Sequence, residues 1–280
     1  MTPLEFSAIL FGTSVLAGML GALLGFGGGI IIVPILTLGL KVDIRYAIGA
    51  SVVSVIATSS GAASAYVRDR LANLRVAMFL ELATVTGALT GAYLTGLISV
   101  RALYVVFGVM LGYSALAMLR KMSREDLPER PPPEDALADR LALHGAYFDE
   151  ATGRQVSYRV TGALKGLGMM YGAGVVSGLL GIGSGALKVP AMDLTMRLPI
   201  KVSTATSNLM IGVTAAASAG VYFARGDIDP FIAGPVAAGV VVGAFSGSRL
   251  LPRLQNTVLR AMFVAVLLWI SVQMLLKGLR

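Results

Sequence analysis

Apolar residues in this chain come in long blocks, and charged residues are confined to the gaps between them. Residues 6–24, 46–67, 102–119, 166–187, 202–224 and 230–248 contain no Asp, Glu, Lys or Arg. Each block is close to the roughly 20 residues a helix needs to cross a bilayer core. Residues 76–100 form a further block broken only by Glu81, and 261–276 form the last. The pattern predicts an all-α multi-pass membrane protein with at least eight membrane segments.

The blocks repeat. A shift of 156 residues lays GFGGGIIIVP over GIGSGALKVP, matching Gly25, Gly27, Gly29, Val33 and Pro34 to Gly181, Gly183, Gly185, Val189 and Pro190. The same shift matches Ser51 to Ser207, Thr58 to Thr214, Tyr66 to Tyr222, and Gly87 and Gly91 to Gly243 and Gly247. Near the ends of the halves it matches Phe107 to Phe263 and Met118 to Met274. One constant offset over so many positions identifies a duplicated membrane unit. Residues 1–120 read as the first repeat and 166–280 as the second. Each has four long helices and a short piece interrupted by glycine, which makes 8–10 membrane segments in all.

Between the repeats lies a polar linker, 121–165. Its opening, KMSREDLPERPPPEDALADR, is charged and proline-rich and reads as exposed chain. The stretch AYFDEATGRQVSYRV places two alternating runs around Ala-Thr-Gly, the pattern of a small β-hairpin. His144, the only histidine, falls here and reads as a solvated side chain.

The glycines fall into two kinds. Gly87/Gly91 and Gly243/Gly247 have small-xxx-small spacing, which lets helix backbones approach closely. Gly25, Gly27, Gly28 and Gly29 are instead dense enough to break a helix, each costing about 1 kcal/mol relative to alanine, and Pro34 follows. Broken backbone inside a membrane is tolerated only where protein buries it or a wet cavity adjoins it. Matched breaks in two halves point to a transporter binding site. A helix restarting after such a break offers free N–H groups and a positive dipole end to an anion. The restarted piece, 30–40, would rise only about 16 Å as a helix. If it re-enters, each half has four spans and the halves are parallel; if it crosses, each has five and they are inverted. Its length favours re-entry, whereas the distribution of basic residues favours inversion. Both place the linker in the cytoplasm.

Composition narrows the function. Of the 280 residues 56% are hydrophobic and only 14% charged, against about 25% charged in soluble domains. The formal charge of +8 sits in loops, as cytoplasmic flanks of membrane helices require, and calls for no nucleic acid. With no cysteine there is no disulfide, thiolate chemistry or Cys metal site. MTPLEFSAIL lacks the basic region of a signal peptide, so the first block reads as a retained helix. No Gly-Lys-Ser/Thr is present, which excludes a P-loop, and GIGSGA lies in an apolar run with Asp193 too close for a dinucleotide fold. No catalytic residues, cofactor or metal are expected.

A motif G-x-G-G-G-x-x-x-x-P near the start of each half of a duplicated membrane unit resembles the TauE/SafE sulfite exporters, also called the toluene-sulfonate uptake permease family. GFGGGIIIVP fits it fully; GIGSGALKVP departs at Ser184 and Lys188. The resemblance covers about 6–120 and 166–276. It implies a secondary carrier of eight spans in the cell (inner) membrane, moving sulfite, sulfoacetate or other sulfonates. The candidate substrate-binding residues are Gly25, Gly27, Gly28, Gly29, Ser51, Gly181, Gly183, Ser184, Gly185, Lys188, Ser207 and Asn208. Lys188 is the counter-charge for an anion, or else snorkels to the interface or pairs with Asp193. Ser51, Thr206, Ser207 and Asn208 either donate to sulfonate oxygens or bond between helices. Glu81 is the candidate for proton coupling, or else pairs with a basic side chain. The partners are the small anion and the lipid bilayer; a homodimer is neither required nor excluded. An anion channel, a carrier of a non-sulfur organic anion, an intramembrane enzyme and a scaffolding subunit are the competing readings.

Overall fold

The computed structural model describes residues 2–95, 97–122, 134–181 and 183–279. The first repeat contains α1 (Pro3–Leu24), α2 (Gly29–Pro34), a π-helical turn (Ile35–Gly39), α3 (Ile44–Arg68), α4 (Leu74–Thr95) and α5 (Val100–Met122). The linker contributes α6 (Ala136–Arg140) and an antiparallel hairpin, β1 (Gly145–Asp149) and β2 (Arg154–Tyr158). Its proline-rich opening lies outside the described residues. In the second repeat come α7 (Ala163–Leu180), α8 (Gly185–Pro190), a second π turn (Ala191–Thr195), α9 (Ile200–Ala224), α10 (Pro230–Leu250), a 3₁₀ turn (Leu251–Arg253) and α11 (Asn256–Leu279). Among the described residues eight helices are long and apolar enough to cross a bilayer, so this is an all-α multi-pass membrane protein. Helices α2, α3, α4 and α5 begin 156 residues before α8, α9, α10 and α11.

Local chemistry sets the helix ends. Thr2 and Glu5 form a capping box on α1, Asp43 caps α3 through the Arg45 N–H, and Asp229 caps α10 ahead of Pro230. Pro34 and Pro190 each lack the N–H that would continue an α-helix, and in both halves the next turn opens into a π-helix.

Glycine contacts reveal the helix directions. A Cβ added at Gly239, Gly243 or Gly247 on α10 would overlap the carbonyls of Phe11, Val15 and Met19 on α1. The numbers rise together, so α1 and α10 run parallel. Gly87 and Gly91 meet Tyr171 and Val175 in the same sense, making α4 and α7 parallel. Gly49 lies against Asp227 and Gly61 against Ala244, which sets α3 parallel to α10 and hence to α1. The four glycines with small-xxx-small spacing are therefore packing residues, as their pattern predicts.

These directions answer the topological question. Because α1 and α3 run the same way, the chain must return through α2 and its π turn. On α5 and α11, Gly108 meets Leu275, Gly112 meets Ser271 and Gly278 meets Tyr104, so these equivalent helices are antiparallel. Each half therefore has five segments of alternating direction, four long helices and the short returning piece, and the halves are inverted, as the basic-residue distribution favoured. Helix pairs also mix the halves: α1 and α3 pack on α10, α7 and α9 pack on α4, and α5 packs on α11.

Candidate functional site

The two glycine breaks meet at the centre of the bundle. Gly25, Gly27, Gly28, Gly181 and Gly183 all have positive φ, and Ser184, which replaces Gly28, adopts φ 57°. That serine holds a left-handed conformation that costs non-glycine residues about 1–2 kcal/mol; its Oγ donates to the Gly183 carbonyl at 2.7 Å. The equivalent residues Val55 and Ile211 line both Gly27 and Gly183, which places the pseudo-twofold axis between the breaks. Gly185 sits directly on the Gly25 carbonyl and Phe26. Gly29 opens α2 in the corresponding place.

Breaking α1 and α7 frees carbonyls that a buried site must satisfy. The helices α3 and α9 supply the donors, crosswise. Ser207 donates to the Gly25 carbonyl and Ser51 to the Gly181 carbonyl, each at 2.8 Å. Asn208 Nδ2 donates to the Ala22 carbonyl at 2.7 Å, which also accepts from Tyr66 at 3.0 Å. Tyr222, the match of Tyr66, donates to the Gly178 carbonyl, the match of Ala22. Thr206 accepts from the Asn73 N–H. In this conformation the serines and the asparagine therefore bond between helices, the alternative to contacting an anion. Each serine ties one half to the broken helix of the other. Ser51→Ala or Ser207→Ala should cost about 1–2 kcal/mol by stranding a buried carbonyl, read as a lower unfolding temperature in detergent. The double variant should depart from the sum of the two, because the breaks that the two serines tie pack against each other.

The ionisable residues converge in a second cluster. Lys188, on α8, is fully buried. Its Nζ donates to Thr214 Oγ1 at 2.6 Å and lies 3.6 Å from Glu81 Oε2. Thr214 in turn donates to Glu81 Oε1 at 2.5 Å. The lysine thus neither snorkels nor pairs with Asp193, which instead contacts Arg260 of α11 at 3.2 Å. Lys188, Thr214 and Glu81 come from α8, α9 and α4. Their equivalents in the other half are Ile32, Thr58 and Ala237, so the charged cluster exists once. Sequence reasoning selected Lys188 and Glu81 separately but not Thr214, Arg260 or their pairings. The retention of Thr58/Thr214 and Tyr66/Tyr222 across the repeat was the available signal.

Inverted five-segment repeats, paired helix breaks at their interface and a buried charged cluster beside them define a membrane transporter. Comparison with known proteins is specific about the kind. The chain belongs to the TauE/SafE sulfite exporter family, whose model matches residues 10–274. It is 26% identical to the probable membrane transporter protein YunE of Bacillus subtilis, covering 97% of this chain and 98% of that one. It is 25% identical to the probable membrane transporter protein YdhB of the same organism, over 87% and 91%. A probable membrane transporter protein of Xylella fastidiosa is 27% identical over 94% of each chain. No solved structure matches the chain.

Proposed function

We propose that the protein is a secondary carrier of a small sulfur oxyanion, sulfite or an organosulfonate, across the cell membrane, with a proton as the coupling ion. The observation that carries this reading is the Lys188–Thr214–Glu81 cluster. Lys188 supplies a buried cation, but ionised Glu81 already balances it. An anion joining the cluster would leave an excess negative charge at low dielectric, which is expensive. Protonation of Glu81 removes that excess and releases the lysine to the anion. Anion and proton are then taken up together, and loss of the proton restores the internal pair and expels the anion.

The moving parts are not the two sequence halves. Close glycine packing joins α1 and α3 to α10, and α7 to α4. With α9 packed on α4, the bodies that rock are mixed, one of α1, α3 and α10 and the other of α4, α7 and α9, with the breaks between them. The linker side is assigned to the cytoplasm by its basic flanks.

The test is flux of sulfite and of a panel of sulfonates into proteoliposomes, with and without a pH gradient. A proton-coupled carrier accumulates anion against its concentration gradient when the pH gradient is imposed. Glu81→Gln should retain downhill exchange and lose that accumulation. Passive flux indifferent to the gradient in the unmodified protein would favour a channel. Transport of carboxylates alone would keep the carrier and remove sulfur.

A further inference from the structure

The linker hairpin is built into the membrane domain. Asp149, at the end of β1, is buried, and its Oδ1 lies 2.7 Å from Nζ of Lys201, which is fully buried at the start of α9. Lys201 also donates to the Pro252 carbonyl at 2.9 Å. It thereby spans the seam between α9 and the turn that ends α10, elements of the two different mixed bodies. Around this contact Asn73, ahead of α4, donates to the Leu143 carbonyl and to Tyr158, and Arg75 donates to the Ala142 carbonyl. Asp135 accepts the first N–H of α7, from Ala163, and that bond is the main reason its carboxyl titrates below the ordinary range. The cap touches α4, α7, α9 and the α10 end together. On the opposite face the equivalent of Lys201 is Arg45, which is exposed.

We propose that this hairpin is a gate on the linker side, and that Asp149 occupies on Lys201 the place a small oxyanion takes when the gate opens. A carboxylate on a docked hairpin can hold a buried cation while the pathway is shut; an arriving anion of similar size and charge exchanges with it and leaves Lys201 compensated. Opening this side requires α9 to part from the end of α10, which strains the bonds that Lys201 makes across the seam. The oxyanion as displacing ligand rests on the reading of the chain as an anion carrier. The gate rests on the contacts alone.

The chain has no cysteine, so one introduced thiol reports access cleanly. Thr204, one turn inward of Lys201 and against Gly25, becomes Cys in one protein; its equivalent Ile48, against Gly181, becomes Cys in another. Maleimide labelling is followed in nanodiscs. Asp149→Asn should raise labelling at Thr204→Cys by about tenfold, as expected for losing one charge-assisted hydrogen bond, and leave Ile48→Cys unchanged. Labelling that rises at both positions means general loosening and overturns the gate, as does no rise at either. The exchanged pair Asp149→Lys with Lys201→Asp should return labelling to the slow rate. Sulfate, against sodium chloride of equal ionic strength, should speed labelling at Thr204→Cys and have no further effect with Asp149→Asn. Indifference to sulfate in the unmodified hairpin overturns the anion site at Lys201. None of these readings requires flux, so they stand or fall apart from the transport assay.

Discussion

Lys188→Met should abolish gradient-driven anion accumulation and lower the unfolding temperature sharply. Lys188 is wholly enclosed, and methionine preserves most of its volume while removing the charge. Glu81 then keeps its bond from Thr214 but loses its cation. Breaking a buried ion pair from one side costs ~3–5 kcal/mol, because the remaining charge is left uncompensated. With the cation gone, an arriving anion finds no counter-charge in the cluster, so accumulation should stop. Adding Glu81→Gln to Lys188→Met should recover most of the stability, since a neutral pair needs no counter-charge, but none of the accumulation. Thermal unfolding in detergent and proteoliposome flux, measured on the same preparations, separate the two effects. Wild-type accumulation in the single variant would sink the assignment of the anion to Lys188. Equal loss of stability in the single and double variants would show that the pair is not what holds the cluster together.

Why Lys188 and Glu81 could be picked out but not paired is instructive. Each is conspicuous as an ionisable residue inside an apolar run, and that conspicuousness is a one-dimensional property. Their meeting depends on α4 of the first repeat packing beside α8 and α9 of the second, which no local pattern encodes. Ser51, Ser207 and Asn208 show the same limit from the other side. Their donors were legible, but their acceptors are carbonyls of Ala22, Gly25 and Gly181, exposed only because glycines end α1 and α7 early. A backbone acceptor carries no letter of its own.

The helices themselves were legible because the bilayer imposes a single strong rule on composition and length. Segment direction was less so. An 11-residue piece is too short to decide between re-entry and crossing, and the basic-residue bias only leaned one way. The close approaches at Gly49, Gly61, Gly108 and Gly112 settle it, since a glycine that would clash with a numbered neighbour records which way two helices run. In the linker, the alternation around Ala-Thr-Gly foretold the hairpin, whereas its docking did not show: Lys201 reads in sequence as an ordinary basic flank, and Asp149 as one acidic residue among several.

Gly185→Ala should be among the most damaging single methyl additions in the chain. The added Cβ would overlap the Gly25 carbonyl oxygen and lie 2.7 Å from the Phe26 Cα. Both are backbone atoms, so no side chain can rotate aside. The contact joins the two breaks, so relief requires one broken helix to withdraw from the other and from the serine that ties it. Overpacking a well-filled site costs about 1–3 kcal/mol and more where neighbours are rigid; here the upper end or beyond is expected, with loss of monodisperse protein on size-exclusion chromatography. Gly172→Ala, also within a membrane helix but with nothing near its Cβ, should match the parent or exceed it slightly, because alanine is the better helix former. Ser184→Gly makes the complementary test. It relieves a left-handed serine at the cost of one hydrogen bond to its neighbour's carbonyl, and should change stability by no more than about 1 kcal/mol. If Gly185→Ala folds as well as Gly172→Ala, the two breaks are not packed against each other in the stable state. If only Gly185→Ala fails, the glycines are there because each broken helix needs the other's backbone closer than any side chain allows.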